Sequence, residues 1–226
     1  SVLSSGEWYK FKTTESGIYK IGFDDLVEAG LDPTGIDPRY LSLYGNGGGM
    51  VPEKNSKPRP DDLVENAIYV SGEQDGIFDP DDHILFYGMS PHTWYEQLRF
   101  FYYEINHYDN HNYYYLTLSD EPGKRIDTEP YPSYPPNLTI NSYNHYKVIE
   151  DEKTNLISSG KAWYGDEFSN VKQRSYTFEF PNILQNAQAT VKIGVANRTF
   201  INDSLVVKFN GTVMDTMTLT SVQANK

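Results

Sequence analysis

Short apolar runs separated by turn residues make up the first half of the chain, and they predict mostly β-strands. Two aromatic and β-branched runs flank the turn-prone triplet at residues 15–17, which predicts a β-hairpin over residues 7–22. Three further runs, each followed by a glycine, predict short buried strands at residues 40–44, 66–71 and 83–87.

A short helix is predicted between these strands, from the run FDDLVEAG at residues 23–30. Asp24 or Asp25 is suited to cap its first turn, and Gly30 is suited to end it, because glycine adopts the left-handed conformation that closes many helices.

Polar and apolar residues alternate more regularly in the second half, at residues 175–180, 189–200 and 204–219. The last of these runs is divided by Asn210-Gly211, the preferred pair for a type I′ turn, and predicts two strands. Alternation of this kind leaves one face of each strand buried and the other solvated. We therefore predict a β-sandwich in this half.

Four prolines within residues 129–137 interrupt the strand pattern and favour a linker, because proline cannot donate a backbone hydrogen bond. We predict a mainly β protein of two domains, an aromatic-rich β domain with a short helix and then a β-sandwich. The boundaries are 1–130 for the first domain, 131–136 for the Pro-rich linker and 137–226 for the sandwich.

Both ends of the chain look like cuts from a longer polypeptide. It begins close to a first strand without an initiator Met, and it ends just after a strand-like run. No signal peptide and no membrane-length apolar run is visible. The sequence leaves open whether the sandwich is complete at Lys226.

Charge is distributed unevenly between the two halves. Residues 1–130 carry 23 acidic and 10 basic side chains, a net charge of −13, whereas residues 131–226 carry 8 and 9, a net charge of +1. This contrast supports two domains.

Nucleic acid is not expected as a partner, and an anionic membrane surface is disfavoured, because phosphate groups are bound by clustered Lys and Arg.

A glycine-rich loop, GNGGG at residues 45–49, follows the strand predicted at residues 40–44. A phosphate-binding loop needs Lys and Ser or Thr after its last glycine, but Met50, Val51, Pro52 and Glu53 stand there. The glycines also lack the spacing of a dinucleotide fingerprint. We interpret the loop as a tight structural crossing in which glycine supplies positive φ.

An acidic turn at residues 71–84 resembles a calcium-binding loop when Gly76 is placed at the obligatory glycine position. Against calcium, Ser71 stands where Asp is expected, Pro80 interrupts the loop, and the flanking runs predict strands instead of helices. Calcium is the one cofactor that the sequence suggests, and a plain acidic hairpin turn is the alternative. The candidate ligands are carboxylates: Glu73, Asp75, Asp79 and Asp82.

Ten aromatic residues are concentrated within residues 94–115. If the rings are exposed they form an interaction surface or stack on sugars, and if they are buried they form core. The candidate interaction residues are in the first part of the cluster: Trp94, Tyr95, Phe100 and Tyr102.

No catalytic group is assembled by the sequence. The chain has no cysteine, which rules out a cysteine nucleophile and a thiolate metal site within it. The five histidines are scattered, and neither a nucleophile-elbow motif nor a Ser/His/Asp arrangement stands out. We therefore assign no catalytic residue.

A family resemblance emerges when the glycine loop is combined with its neighbours. In order, the segments are GEWYKFKTTESGIYKI, IDPRYLSLYGNGGGMVPE, RPDDLVENAIYV, GEQDGIFDPDDHILFYG and NYYYLTLSDEPGKRI. This series resembles the region ahead of the catalytic domain in the type IX secretion system sortases of Bacteroidetes, which are gingipain-type cysteine peptidases. The resemblance covers nearly the whole chain, and the Pro-rich link and β-rich second half fit the same order.

The resemblance implies a segment without catalytic residues. The family's chemistry uses a histidine followed by glycine and a later cysteine, and no histidine of this chain precedes a glycine. The implied parent is an exported, outer-membrane-associated protein at the cell surface. It removes the C-terminal sorting domain from exported cargo and attaches the cargo to lipopolysaccharide.

The partners implied for this segment are the catalytic domain of the same polypeptide, outer-membrane type IX secretion components and exported cargo proteins. The acidic residues of the first domain and the aromatics at 94–103 are the candidate docking surfaces. The rival interpretation is a free-standing carbohydrate-binding or adhesin module. It predicts glycan binding that is lost on Trp94→Ala or Trp163→Ala. A third interpretation is a structural domain that calcium stabilises.

Overall fold

The computed structural model describes residues 1–98, 100–130, 134–156, 158 and 162–223. The chain divides into two compact units, Ser1–Thr139 and Ile140–Lys226, and each is described by itself. Residues 131–133 of the predicted linker lie outside the described residues, so the linker stays a prediction. Within the described part of the chain, no helix is long and apolar enough to cross a membrane.

Antiparallel strands dominate the first unit, and the predicted mainly β fold class is confirmed. A single short α-helix, α1 (Phe23–Glu28), and two 3₁₀ turns, Val2–Ser4 and Pro38–Tyr40, accompany them in the described residues. The strands are β1 (Tyr9–Thr13), β2 (Gly17–Gly22), β3 (Leu41–Tyr44), β4 (Glu65–Asn66), β5 (Tyr69–Ser71), β6 (His83–Gly88), β7 (Thr93–Gln97), β8 (Phe100–Glu104) and β9 (Asn112–Leu118).

The strands of the first unit form a four-stranded sheet in the order β1-β9-β3-β4, a three-stranded sheet in the order β2-β6-β5 and the separate β7–β8 hairpin. The hairpin predicted over residues 7–22 is wrong, because β1 pairs with β9 and β2 pairs with β6. The short connection between β1 and β2 carries the chain from one sheet to the other. Alternation specifies a strand face but not the neighbouring strand.

Helix α1 has the ends that the sequence predicts. The Asp25 carboxylate accepts a hydrogen bond from the Gly22 backbone N–H at 2.7 Å. Gly30 has a φ of 93°, in the left-handed region, and follows the last turn. The helix buries Leu26 completely in the core, and Phe23 packs against the same core.

The hydrophobic core of the first unit joins side chains from both larger sheets. Phe86 of β6 and Tyr114 of β9 lie with their ring centroids 5.0 Å apart. Leu43 and Leu116 are directly opposite each other on β3 and β9, and both are fully buried. Each such side chain contributes about 1.5–3 kcal/mol to stability through burial.

The segment after β9 is fastened by Arg125. Its Nη2 group donates to the carbonyls of Pro38 and Arg39 at 2.8 and 2.9 Å, and Nε donates to the Glu73 carboxylate at 2.7 Å. Nη1 donates to the Leu41 carbonyl at 3.2 Å. One side chain therefore ties the acidic turn, the 3₁₀ turn before β3 and the segment after β9 together.

The second unit contains one described antiparallel pair, β10 (Asp203–Phe209) and β11 (Thr212–Leu219). The predicted turn between them is confirmed, with φ of 47° at Asn210 and 86° at Gly211. The structure assigns no strand over residues 175–180 or 189–200, although both alternate. A strand needs a neighbour for its backbone groups as well as an apolar face, so alternation alone does not produce one.

Candidate functional site

The aromatic cluster forms the antiparallel hairpin of β7 and β8. Tyr95 lies opposite Tyr102, and Gln97 lies opposite Phe100. Because opposite residues share a face and successive residues alternate, these pairs are on the same side of the hairpin. Aromatic residues occupy this position because they suit the pleated, half-buried surface of a strand.

Three of the four predicted interaction residues lie together on that side. We call Tyr95, Phe100 and Tyr102 the aromatic face; their exposed fractions are 46%, 53% and 39%. The rings of Tyr95 and Tyr102 stack with centroids 5.5 Å apart and planes 18° apart. The stacking of Tyr95 with Tyr102 stabilises this cross-strand pair although both rings are exposed.

Trp94, the fourth predicted residue, lies on the opposite side of the hairpin. It faces Tyr103 across the strands, with ring centroids 5.0 Å apart. Tyr103 is in turn 5.8 Å from the imidazole of His92 at the base of the hairpin. This second side is therefore a ring cluster that continues toward the body of the unit.

The glycine loop supports the base of the hairpin. Gly47 and Gly49 have positive φ, at 78° and 83°, as the sequence predicts. A Cβ atom on Gly48 would lie 2.1 Å from the carbonyl oxygen of Ser90, so only glycine allows this approach. The loop thus packs its backbone against the segment that leads into β7.

A histidine connects the two ends of the hairpin. The Asn106 backbone N–H donates to His92 Nδ1 at 3.0 Å, so this nitrogen acts as an acceptor and the imidazole is neutral, with its proton on Nε2. Burial lowers the pKa of His92, because desolvation disfavours the charged ring. The Asn106 side chain also reaches the Gly49 carbonyl at 3.4 Å. These contacts hold the hairpin base to the glycine loop.

Three of the four candidate carboxylates of the acidic turn, all but that of Asp79, make hydrogen bonds or an ion pair within the described part of the protein. Glu73 pairs with Arg125 at 2.7 Å. Asp75 accepts from the Ile77 N–H at 3.0 Å, and Asp82 accepts from the Asp79 N–H at 2.9 Å. Among the described residues, no three or more His, Asp or Glu side chains come together as a metal site. Calcium binding here stays a prediction.

A polar cluster that was not predicted from the sequence lies around the start of β9. Tyr113 donates its hydroxyl to Asp109 Oδ2 at 2.8 Å, and the His111 N–H donates to Oδ1 at 2.9 Å. The hydrogen bond from Tyr113 holds the pKa of Asp109 below its ordinary value. Lys10 Nζ lies 3.6 Å from the centre of the Tyr113 ring. The signal available in the sequence was the turn-forming Asp109 with a tyrosine four residues later.

Comparisons with known proteins show a structural likeness. No family model matches the chain, and no curated protein matches it. The crystal structure of dimeric latent PorU from Porphyromonas gingivalis is similar to it, with a TM-score of 0.64 and 22% sequence identity. The likeness covers 99% of this chain and 20% of the PorU chain. The chain therefore shares the fold of a region of PorU and spans about a fifth of its length.

Proposed function

We propose that the chain is the non-catalytic N-terminal segment of a cell-surface, gingipain-like cysteine peptidase related to PorU. The observation that carries the proposal is the likeness over 99% of this chain to only 20% of PorU. The absence of cysteine supports it, since the nucleophile of such a peptidase must then lie in another part of the polypeptide.

The parent in this proposal is a type IX secretion sortase associated with the outer membrane. By the resemblance set out above, it cleaves C-terminal sorting domains from exported cargo and attaches the cargo to lipopolysaccharide. No residue of the present chain takes part in those reactions. Its contribution is structural: to hold the peptidase or its partners in position.

The aromatic face is the surface that we assign to this docking. Large exposed aromatic side chains are enriched where proteins bind each other, because they bury much area at little cost in side-chain entropy. The hairpin strands bear Tyr95, Phe100 and Tyr102 on one side of a base that the glycine loop holds. The partner is the catalytic domain of the same polypeptide or an outer-membrane secretion component.

The test is a double substitution, Tyr95→Ser with Tyr102→Ser, in the full-length polypeptide. We expect release of cargo sorting domains to fall at least about tenfold, as for the loss of a binding hot spot, with unchanged melting of the first unit. Tyr108→Ser is the matched control, because Tyr108 is 80% exposed and lies outside the hairpin. Normal processing by the double variant would remove the docking role.

A carbohydrate-binding module is the second candidate, and the exposed stack of Tyr95 and Tyr102 favours it. Sugars bind on the faces of exposed aromatic rings, so this candidate predicts saturable glycan binding by the chain alone. A glycan array probed with the chain and with its Tyr102→Ser variant separates the two proposals. Binding that the substitution abolishes supports the module, and no binding leaves protein docking as the function of the face.

A further inference from the structure

The second unit has no core of its own among its described residues. In the stretches 140–156, 162–223 and at 158, none is buried, whereas the first unit has a buried cluster of thirteen hydrophobic residues. Folded domains of this size normally bury well over half of the surface that the unfolded chain exposes. The described part of the unit is therefore short of packing partners.

The side chains of the β10–β11 hairpin indicate which kind of surface would pack against it. Leu205 and Met217 lie directly opposite each other, with Val207 and Leu219 on the same side, and all four are only partly buried. Asp203 and Asp215 stand nearer the ends of this side, opposite Leu219 and Val207. On the other side the exposed hydroxyl residues Ser204, Thr216 and Thr218 accompany Val206. We call the first the apolar side and the second the polar side, because only the first bears half-buried residues; such a side belongs in the interior of a sandwich.

The two alternating runs that precede the hairpin present the same pattern. Tyr176 and Phe178 are 48% and 43% exposed, and Val191 and Ile193 are 63% and 41% exposed. No strand is assigned over either run. Their sequences favour strands with one apolar face, so what they need is neighbouring strands that also bring apolar side chains.

We propose that the second unit is an incomplete β-sandwich, which amphipathic β-strands from the remainder of the longer polypeptide complete. The inference rests on the proposed function, under which the chain is one segment of a longer polypeptide, as the matched region is 20% of the PorU chain. Strands are the partner whose chemistry fits, because they satisfy open strand edges and cover an apolar sheet face together. Residues 131–226 have a net charge of only +1, which gives little attraction for a highly charged partner.

Hydrogen exchange tests the inference when the full-length polypeptide and the 226-residue chain are compared over residues 175–219. We expect amides of the alternating runs to exchange at least about a hundredfold more slowly in the full-length polypeptide. If these amides are equally protected in the 226-residue chain and in the full-length polypeptide, at every concentration of the chain, the second unit folds by itself. Protection that grows with the concentration of the chain would assign the covering strands to a second copy. Fast exchange in both would exclude a sandwich; each of these three results overturns the inference.

Two substitutions in the full-length polypeptide sharpen the test. Leu205→Asp places a charge on the apolar side and should abolish the added protection across residues 175–219. Thr216→Asp, on the polar side, should leave it unchanged, and equal effects of the two would contradict the assigned face. Peptidase assays keep the two proposals apart. Protection without cysteine-peptidase activity would refute the proposed function alone, and activity without protection would refute the sandwich alone.

Discussion

Removal of the Arg125 side chain should weaken the first unit, although Arg125 is not part of its hydrophobic core. Its guanidinium makes three contacts of 2.9 Å or less, to the Glu73 carboxylate and to the carbonyls of Pro38 and Arg39. Only 23% of the Arg125 side chain and 24% of the Glu73 side chain is exposed. Arg125→Ala would leave a largely buried carboxylate without its cation. The carbonyls of Pro38 and Arg39 would each lose one of two donors, since they also accept from the Leu41 and Gly123 N–H groups.

The expected loss of stability follows from these contacts. A hydrogen bond to a charged group contributes about 1.5–3 kcal/mol net, and removing one member of a buried pair costs about 3–5 kcal/mol. Water that enters through the exposed quarter of the site replaces part of this. We therefore expect Arg125→Ala to lower the unfolding free energy of the first unit by about 3 kcal/mol. Arg125→Lys should recover less than half, because an ammonium group cannot span the three acceptors.

Urea titration followed by methyl NMR of Ile84 and Leu116 measures this change, since both side chains lie in the first unit's core. Following core methyl groups separates this transition from that of the second unit, which a global signal would mix with it. Arg39→Ala is the control, because Arg39 pairs with Asp37 locally and 53% of its side chain is exposed. If Arg125→Ala lowers the unfolding free energy no more than Arg39→Ala does, the contacts of the Arg125 guanidinium do not stabilise the first unit.

Three further predictions concern the base of the hairpin and the cluster before β9. His92 has a lowered pKa and accepts a hydrogen bond when neutral, so its contribution to stability is present above pH about 6.5 and is lost as the pH falls. The unfolding free energy of the first unit should therefore be higher at pH 8 than at pH 5, and His92→Asn should make this difference smaller. Gly48→Ala should destabilise the first unit by about 1–3 kcal/mol in urea, whereas Gly17→Ala, with open space at its Cβ, should not, and equal costs would contradict the packing of the glycine loop. Tyr113→Phe should raise the pKa of Asp109 in a carboxyl NMR titration, because the Tyr113 hydroxyl is the main cause of its lowering; an unchanged pKa would exclude that bond in solution.

Local features of the fold could be predicted from the sequence, but long-range pairing could not. Helix α1 with its terminal Gly30 and the turn at Asn210-Gly211 depend on a few neighbouring residues, and both were predicted. The pairing of β1 with β9 joins segments about a hundred residues apart, and no local pattern contains it. The first two strand runs therefore looked like a hairpin although they belong to different sheets.

The candidate site shows the same division. The aromatic cluster was evident from composition, but its two sides follow from the register of β7 with β8, which separates Trp94 from Tyr95. The His92–Asn106 hydrogen bond joins residues that flank the hairpin, so it forms only once the strands have paired. Arg125 was not predicted, because its acceptors are mostly backbone carbonyls and carbonyls have no sequence signature.

The central claim, that this chain is part of a gingipain-like peptidase, is tested most directly on the full-length polypeptide that contains it. The measurement is cleavage of a cargo's C-terminal sorting domain by the purified polypeptide, with and without a cysteine-alkylating reagent. We predict cleavage that alkylation abolishes, since the nucleophile must be a thiol outside these 226 residues. A full-length polypeptide that has no cysteine, or whose cleavage is unaffected by alkylation, would contradict the account.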